Sequence, residues 1–213
     1  MTLQNRVAPD GSLHADPARG MMTGNRGIIH DPLRRTLNGR RWTTRAWICC
    51  STEFKGRKRE VWGRNHTGSK GPVAGWSELF FCDEVSALAA GHRPCFFCRR
   101  EDASRFVAAS GFASAKDADN VLHCERWLSS RQARQRLSPI DLPGLPDGTM
   151  VMAGERFHAI RERKALAWSF GGYEKPVGFG ELARHPLVLV TPKSVVTTLR
   201  AGYKPEWHCT AVT

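Results

Sequence analysis

The pattern of apolar and polar positions changes near residue 41. Residues 1–40 are rich in Gly, Pro, Asp, Asn and Arg and show no apolar period, which predicts a flexible N-terminal arm. Beyond this arm bulky apolar residues recur, and their pattern predicts two strands, at residues 45–54 and 59–63. A basic turn, Lys55-Gly56-Arg57-Lys58, joins the two predicted strands.

Capping residues mark the helices in the middle of the chain. Asp83 is a favourable N-cap for a helix that reaches Ala90, and Gly91 is a favourable stop. A second helix is predicted to begin near Cys95, and a third covers residues 117–137. These three helices are expected to pack into one helical part.

The last third of the chain has the pattern of a small sheet. A proline-rich connector, residues 139–147, precedes it and is a candidate boundary. Short strands are predicted at residues 149–152, 156–161, 165–170 and 187–190. Thr191 and Pro192 then begin a final helix, as N-cap and first helical residue, and Ala201-Gly202 ends it.

Seven cysteines and the absence of any long apolar run restrict the protein class. The N-terminal residues lack the apolar core of a signal peptide, and no run is long enough to span a membrane. The sequence therefore predicts a cytoplasmic protein without a membrane partner. Its thiols are expected to stay reduced there, which favours metal binding over disulfides.

Cys95 and Cys98 form the candidate metal-binding pair. They follow Pro94 at the predicted start of a helix, where free N–H groups favour thiolate over thiol. Tetrahedral zinc needs two more ligands, or one ligand and water. Successive strand residues face opposite sides, so we prefer Cys50 over Cys49 as the third ligand, with His123 as the fourth. The other candidates are Cys82, Cys124 and His208.

The stretch from Phe80 to Arg100, with its Gly-His-Arg-Pro-Cys-x-x-Cys turn, resembles part of the zinc-binding N-terminal domain of Ada DNA-repair proteins. The resemblance implies a zinc ion held by Cys95 and Cys98 near a DNA backbone, and a backbone contact for Arg93. Upstream, Ada domains carry Cys-x-x-x-Cys, one of whose thiols accepts a methyl group, whereas this chain has adjacent Cys49 and Cys50.

The chain as a whole also resembles a family of bacterial proteins with no established activity, which implies that it forms one fold unit. The segments that carry this likeness include Trp47-Ile48-Cys49-Cys50, Leu122-His123-Cys124-Glu125-Arg126 and Leu145-Pro146-Asp147-Gly148. The expected class is α+β. A helical zinc-bearing part with a strand pair, residues 41–138, is joined to a small, mostly antiparallel β-rich part, residues 139–213, that packs on it.

The net charge of the chain indicates which kind of partner it binds. The chain has 32 Lys and Arg against 20 acidic residues, a net charge of +12, which favours a polyanion such as DNA or RNA. We therefore predict a zinc-binding protein whose basic surface binds nucleic acid. The candidate contact residues are Lys55, Arg57, Lys58, Arg59, Arg93, Arg99 and Arg100.

Enzymatic alternatives remain open at the sequence level, with no catalytic residue assigned. An open position on zinc would allow a hydrolase or nuclease with Glu125 as general base, or alkyl transfer to zinc-bound Cys50. A deaminase would use Glu84 of Cys82-Asp83-Glu84, but the interval to Pro94 is too short for the strand that fold requires. The zinc can also be purely structural.

Overall fold

A computed structural model of the protein describes residues 2–56, 60–131 and 134–213, apart from the side chains of residues 129–131. The first strands are β1 (Arg6–Val7), β2 (Leu13–His14), β3 (Met22–Asn25), β4 (His30–Asp31), β5 (Thr36–Leu37), β6 (Ile48–Ser51), β7 (His66–Gly68), β8 (Gly71–Val73) and β9 (Leu79–Phe81). The middle of the chain contains helix α1 (Glu84–Ala89), strand β10 (Arg93–Pro94), helices α2 (Arg100–Ser110) and α3 (Ala115–Arg131), and strand β11 (Arg136–Leu137). A 3-10 helix (Pro139–Gly144) leads to strands β12 (Met150–Ala153), β13 (Arg156–Arg161), β14 (Lys164–Ser169) and β15 (Gly172–Val177), helix α4 (Phe179–Leu182), strand β16 (Leu187–Leu189) and helix α5 (Lys193–Arg200).

A mixed six-stranded sheet organises the first part of the chain, in the order β10-β6-β3-β9-β1-β2. The pairs β10–β6 and β1–β9 are parallel, and the other pairs are antiparallel. Gly24 in the central strand β3 meets its neighbours so closely that a Cβ there would lie 2.2 Å from the carbonyl oxygen of Ile48. Only glycine fits this position, and the close approach brings β6 against β3.

Although β4 and β5 form a separate two-stranded sheet, residues 2–40 contribute to this sheet and its core, in place of the flexible arm that the sequence predicts. They supply β1, β2 and the central strand β3, and the side chains of Val7, Met22 and Ile29 are buried. Strands of two to four residues are too short to show an alternating pattern, which explains why composition alone suggested an arm. The strand expected at residues 59–63 is also absent over its described part, because residues 61–63 form a turn.

The second sheet consists of six antiparallel strands in the order β11-β16-β12-β13-β14-β15. The four strands predicted in this region match β12, β13, β14 and β16 to within a few residues. Strands β11 and β15 were not predicted. The mixed α+β class is confirmed, whereas the N-terminal part contains a six-stranded sheet rather than a strand pair.

One hydrophobic cluster joins the two sheets. It includes Val85 and Ala89 of α1 together with Met150, Leu166 and Trp168 of the second sheet. Both sides of the proposed boundary at residues 139–147 therefore share a core. Within the described ranges, no helix is both long and apolar enough to cross a membrane.

Helix α1 begins as predicted, at the N-cap Asp83, whose side chain accepts a hydrogen bond from the backbone N–H of Ser86 at 2.9 Å. Its end at Ala90, followed by Gly91 with φ +80°, also agrees with the prediction. Helix α2 begins later than predicted, at Arg100, because Pro94 lies in strand β10 and residues 96–98 form a turn. Helix α3 ends by Arg131 rather than at residue 137, since residues 136–137 form β11.

The segment after α5 is fastened to α1 by two buried carboxylates. Glu84 accepts hydrogen bonds from the Tyr203 hydroxyl at 2.6 Å and from the Glu206 backbone N–H at 2.8 Å. Asp83 accepts from the Tyr173 hydroxyl at 2.9 Å and from the His208 backbone N–H at 3.1 Å. Buried carboxylates are tolerated only when they have partners of this kind, so α1 and the last third of the chain stabilise each other.

Candidate metal centre

Three cysteine sulfur atoms meet where strand β6 adjoins the turn before α2. The Sγ atoms of Cys50, Cys95 and Cys98 all lie within 4.8 Å of one another. Bound to a tetrahedral ion at about 2.3 Å, as thiolates are to zinc, three sulfurs would stand about 3.8 Å apart. The three cysteines are thus close enough to hold one metal ion.

Strand pairing brings the sulfur atoms together. Strand β10 runs parallel to β6, with Pro94 opposite Cys49, and the Cys95 N–H donates to the Cys49 carbonyl at 2.9 Å. The chain then turns, and the Arg99 N–H donates back to the Cys95 carbonyl at 2.9 Å. This turn returns Cys98 to the side of the sheet that Cys50 occupies. Cys49 is buried in the hydrophobic core, as the alternation of strand residues requires.

The electrostatics of the cluster concentrate negative charge on one sulfur. Hydrogen bonds from the Cys50 and Cys98 thiols, with the backbone N–H groups of Cys98 and Phe97, lower the pKa of Cys95 to about 2. The same contact with Cys95 raises the pKa of Cys50. The hydrogen bond with Cys50 lowers the pKa of Cys98. The contact with Cys95 and burial raise the pKa by more, so the net shift is upward. A bound cation would remove this competition and let all three sulfurs ionise.

The fourth predicted ligand lies elsewhere. In the described part of the chain, the potential ligand atoms that lie within 4.8 Å of one another belong to the three cysteines, and His123 is not among them. The His123 ring instead packs edge-on against Trp42, with ring centroids 5.6 Å apart. Of the other candidates, Cys82 is buried in the cluster between the sheets and Cys124 is exposed. His208 accepts from the Thr210 backbone N–H at 3.3 Å, through Nδ1.

Two of the arginines expected to contact nucleic acid are buried in ion pairs. Arg93 donates two hydrogen bonds of 2.8 Å to Asp119. Arg99 donates to both oxygens of Glu84 at 2.9 and 2.8 Å and to Asp102 at 3.0 Å. Their side chains are only 8% and 5% exposed, so neither guanidinium is available to a phosphate backbone. Both arginines instead link the segment that carries Cys95 and Cys98 to neighbouring helices, Arg93 through Asp119 of α3 and Arg99 through Glu84 of α1.

The remaining basic candidates are exposed or lie outside the described residues. Lys55 and Arg100 are exposed. Arg57, Lys58 and Arg59 lie outside the described residues.

An aromatic pair beside the cluster, exposed Phe97 and half-buried Phe54, was not anticipated from the sequence. Phe97, between Cys95 and Cys98, is 63% exposed, and its ring centroid lies 5.1 Å from that of Phe54. The Lys55 ammonium lies 5.4 Å from the Phe54 ring centroid. The one available signal was the position of Phe97 inside the Cys-x-x-Cys turn, directly before Cys98 of the sulfur cluster. We call Phe54, Lys55 and Phe97 the aromatic–basic face, and exposed Arg100 follows three residues after Phe97.

The carboxylates proposed for catalysis have other partners. Glu125 accepts hydrogen bonds from the Ser194 backbone N–H at 3.0 Å and from its hydroxyl at 2.5 Å, so it caps the start of α5. Glu84 is buried against Arg99 and Tyr203. Neither carboxylate belongs to the sulfur cluster, and the geometry gives no general base for a hydrolase or a deaminase at these positions.

Comparisons of the chain with protein-family models, with curated proteins and with solved structures give no match. The function is therefore inferred from the arrangement of the residues themselves.

Proposed function

We propose that Cys50, Cys95 and Cys98 bind Zn²⁺, and that this centre supports a surface that binds nucleic acid. The observation that carries the proposal is the convergence of three sulfur atoms, from a strand and a turn, within 4.8 Å. Three thiolates form a soft donor set, which favours zinc over magnesium or calcium. The likeness of the turn to Ada proteins supports the same choice of metal.

The fourth position on the ion would be filled by water or by a group from a partner. With three protein ligands, zinc keeps a site open to exchange, as zinc enzymes do. This open position is what favours the alternative function, a zinc-dependent hydrolase or nuclease, or alkyl transfer to a zinc-bound cysteine. We place the binding function first because the two carboxylates considered as bases are engaged elsewhere.

The aromatic–basic face supports nucleic acid as the partner. Exposed rings stack on bases of any sequence, and neighbouring cations attract the phosphates. Phe54 and Phe97 supply the rings, and Lys55 and Arg100 supply charge on a chain whose net charge is +12. Bases that are free to stack occur in single strands, so we propose single-stranded DNA or RNA as the ligand.

We expect the zinc content to depend on Cys50 but not on the adjacent Cys49. Wild-type protein should purify with one zinc per chain, and Cys50→Ser should lose most of it because a hydroxyl is a poor zinc ligand. Cys49→Ser should keep its zinc, since that side chain is buried on the opposite face. Elemental analysis gives the ratio, and the charge-transfer bands of cobalt-substituted protein count the thiolates. Equal zinc loss in both variants, or no metal in the wild type, would contradict the site.

Nucleic-acid binding is expected to depend on Phe97 and on salt. Fluorescence anisotropy with a labelled single-stranded oligonucleotide should show affinity that falls steeply between 50 and 200 mM salt, conditions over which phosphate contacts weaken. Phe97→Ala should weaken binding by about 5- to 100-fold, because one stacked base contributes about 1–3 kcal/mol. Ile140→Ala, at an exposed apolar position in the 3-10 helix, is the matched control and should bind normally. An affinity that does not change with salt, or one that is the same in Phe97→Ala as in the wild type, would exclude this face as the nucleic-acid binding surface.

A further inference from the structure

A cavity of about 430 Å³ lies between the two sheets, away from the sulfur cluster. Its walls come from Trp47 before β6, from the end of α1, from α3, and from the segment between β16 and α5. Cavities of this size accommodate small organic molecules. Part of the wall is apolar, with Trp47, Leu128 and Val190.

The charged groups of the cavity wall are unbalanced. Four are basic, Arg41, Arg126, Arg134 and Lys193, and two are acidic, Asp10 and Glu125. The acidic groups are occupied: Glu125 caps α5, and Asp10 accepts from the Ser12 N–H at 2.9 Å and from its hydroxyl at 2.6 Å. Arg134 donates to the backbone carbonyls of Val190 and Asp10, both at 2.9 Å, and these acceptors carry no net charge. The cavity therefore has excess positive charge.

Behind the cavity, unsatisfied donors are buried together. Trp47 lies between two guanidinium groups, with Arg26 at 4.0 Å and Arg126 at 4.3 Å from its ring. Within the described residues, the Trp47 indole nitrogen and Arg26 Nη2 are buried and have no hydrogen-bond partner. Burial and repulsion from Arg41 and Arg126 lower the pKa of Arg26 to about 9.

Such an arrangement is costly in a protein without a ligand. Like charges held together in a partly buried site repel each other. An anion in the cavity would offset this cost, because it would compensate the charge of the basic residues on the wall and accept hydrogen bonds from them.

We propose that this cavity binds a small organic phosphate. Its phosphate would lie near Arg41, Arg134 and Lys193, and its apolar or aromatic part would pack against Trp47, Leu128 and Val190. A phosphate suits the site better than a neutral compound, since several cations converge and guanidinium groups match phosphate oxygens in geometry. The site is separate from the zinc centre and from the aromatic–basic face.

The test is a calorimetric titration of the full-length, metal-loaded protein with adenosine 5′-monophosphate at 50 mM salt. The phosphorylated probe should bind, adenosine should bind at least about ten-fold more weakly, and inorganic phosphate should bind more weakly than the nucleotide. The double variant Arg41→Ala/Lys193→Ala changes two exposed side chains and should reduce affinity about ten-fold or more. Arg40→Ala/Lys204→Ala removes the same charge from exposed positions outside the cavity and should change affinity less than about two-fold.

The proposal is overturned if the nucleotide does not bind, if adenosine binds equally well, or if the two double variants lose affinity equally. Zinc content reports on the other site, so failure at the cavity is distinguishable from failure at the metal centre.

Discussion

Replacing Arg99 with methionine is expected to lower the free energy of unfolding by about 3–5 kcal/mol, the range for breaking one partner of a buried ion pair. The Glu84 carboxylate is 1% exposed and receives two hydrogen bonds from Arg99. In Arg99→Met the carboxylate would stay buried, held by Tyr203 and Glu206 but without its counter-charge. Urea denaturation followed by circular dichroism measures the change.

Arg105→Met is the matched control for this prediction. Arg105 pairs with Asp102, which also contacts Arg99, but the Arg105 side chain is 70% exposed. Solvent screens an exposed ion pair, so it contributes little to stability and this variant should be nearly as stable as the wild type. Similar losses in both variants would mean that burial of the Glu84–Arg99 pair has no special role.

The double variant Glu84→Gln/Arg99→Met separates charge from packing. The glutamine amide can still accept from the Tyr203 hydroxyl and the Glu206 N–H, and no uncompensated charge remains. We expect it to be more stable than Arg99→Met alone. Because Arg99 follows Cys98 directly, zinc content must be measured in each variant, so that metal loss is not mistaken for loss of the ion pair.

Zinc is expected to raise the free energy of unfolding by about 4 kcal/mol when free zinc is about a thousand times the dissociation constant. The ion would bind three sulfurs that the folded chain brings together and the unfolded chain does not, so binding free energy becomes folding free energy. Denaturation curves with buffered zinc and with excess chelator measure the difference. The effect should shrink in acid, because protons compete with the metal for the thiolates.

Cys98→Ser and Cys124→Ser form the matched pair for this measurement. The first removes a proposed ligand and should make stability nearly insensitive to zinc. The second changes an exposed cysteine outside the cluster and should preserve the full response. Superimposable wild-type curves with zinc and with chelator would rule out a stabilising metal.

Local signals in the sequence were sufficient for some elements and not for others. The ends of α1 could be predicted from Asp83 and Gly91, because capping depends on residues that are close in sequence. Cys50 could be chosen over Cys49 because successive strand residues face opposite sides. The strands within residues 2–40 are too short for periodicity, and β3 contains Gly24, which weakens the strand pattern further. Their pairing depends on distant partners such as β9, which no local pattern specifies.

The two buried arginines also show that contacts between distant residues could not be predicted from local sequence. Arg93 and Arg99 look like surface cations in a basic sequence, yet their partners, Asp119 and Glu84, lie 26 and 15 residues away. Only the fold brings each pair together, so exposure could not be inferred from charge. Phe97 was missed for the opposite reason: an aromatic residue is expected in the core, but this ring is exposed although the adjacent Cys98 belongs to the sulfur cluster.

The fastening of residues 203–208 to α1 also determines when the protein can finish folding. Its hydrogen bonds connect residues 119 to 125 positions apart in the sequence. Contacts between such distant residues require closure of long loops and make folding slow. In a nascent chain, the Asp83 and Glu84 carboxylates stay hydrated until the residues that cover them have been synthesised. The part of the chain that carries the sulfur cluster therefore completes its folding only after the second sheet has been translated, and a chain stalled before that point would expose the apolar surface of α1 to aggregation.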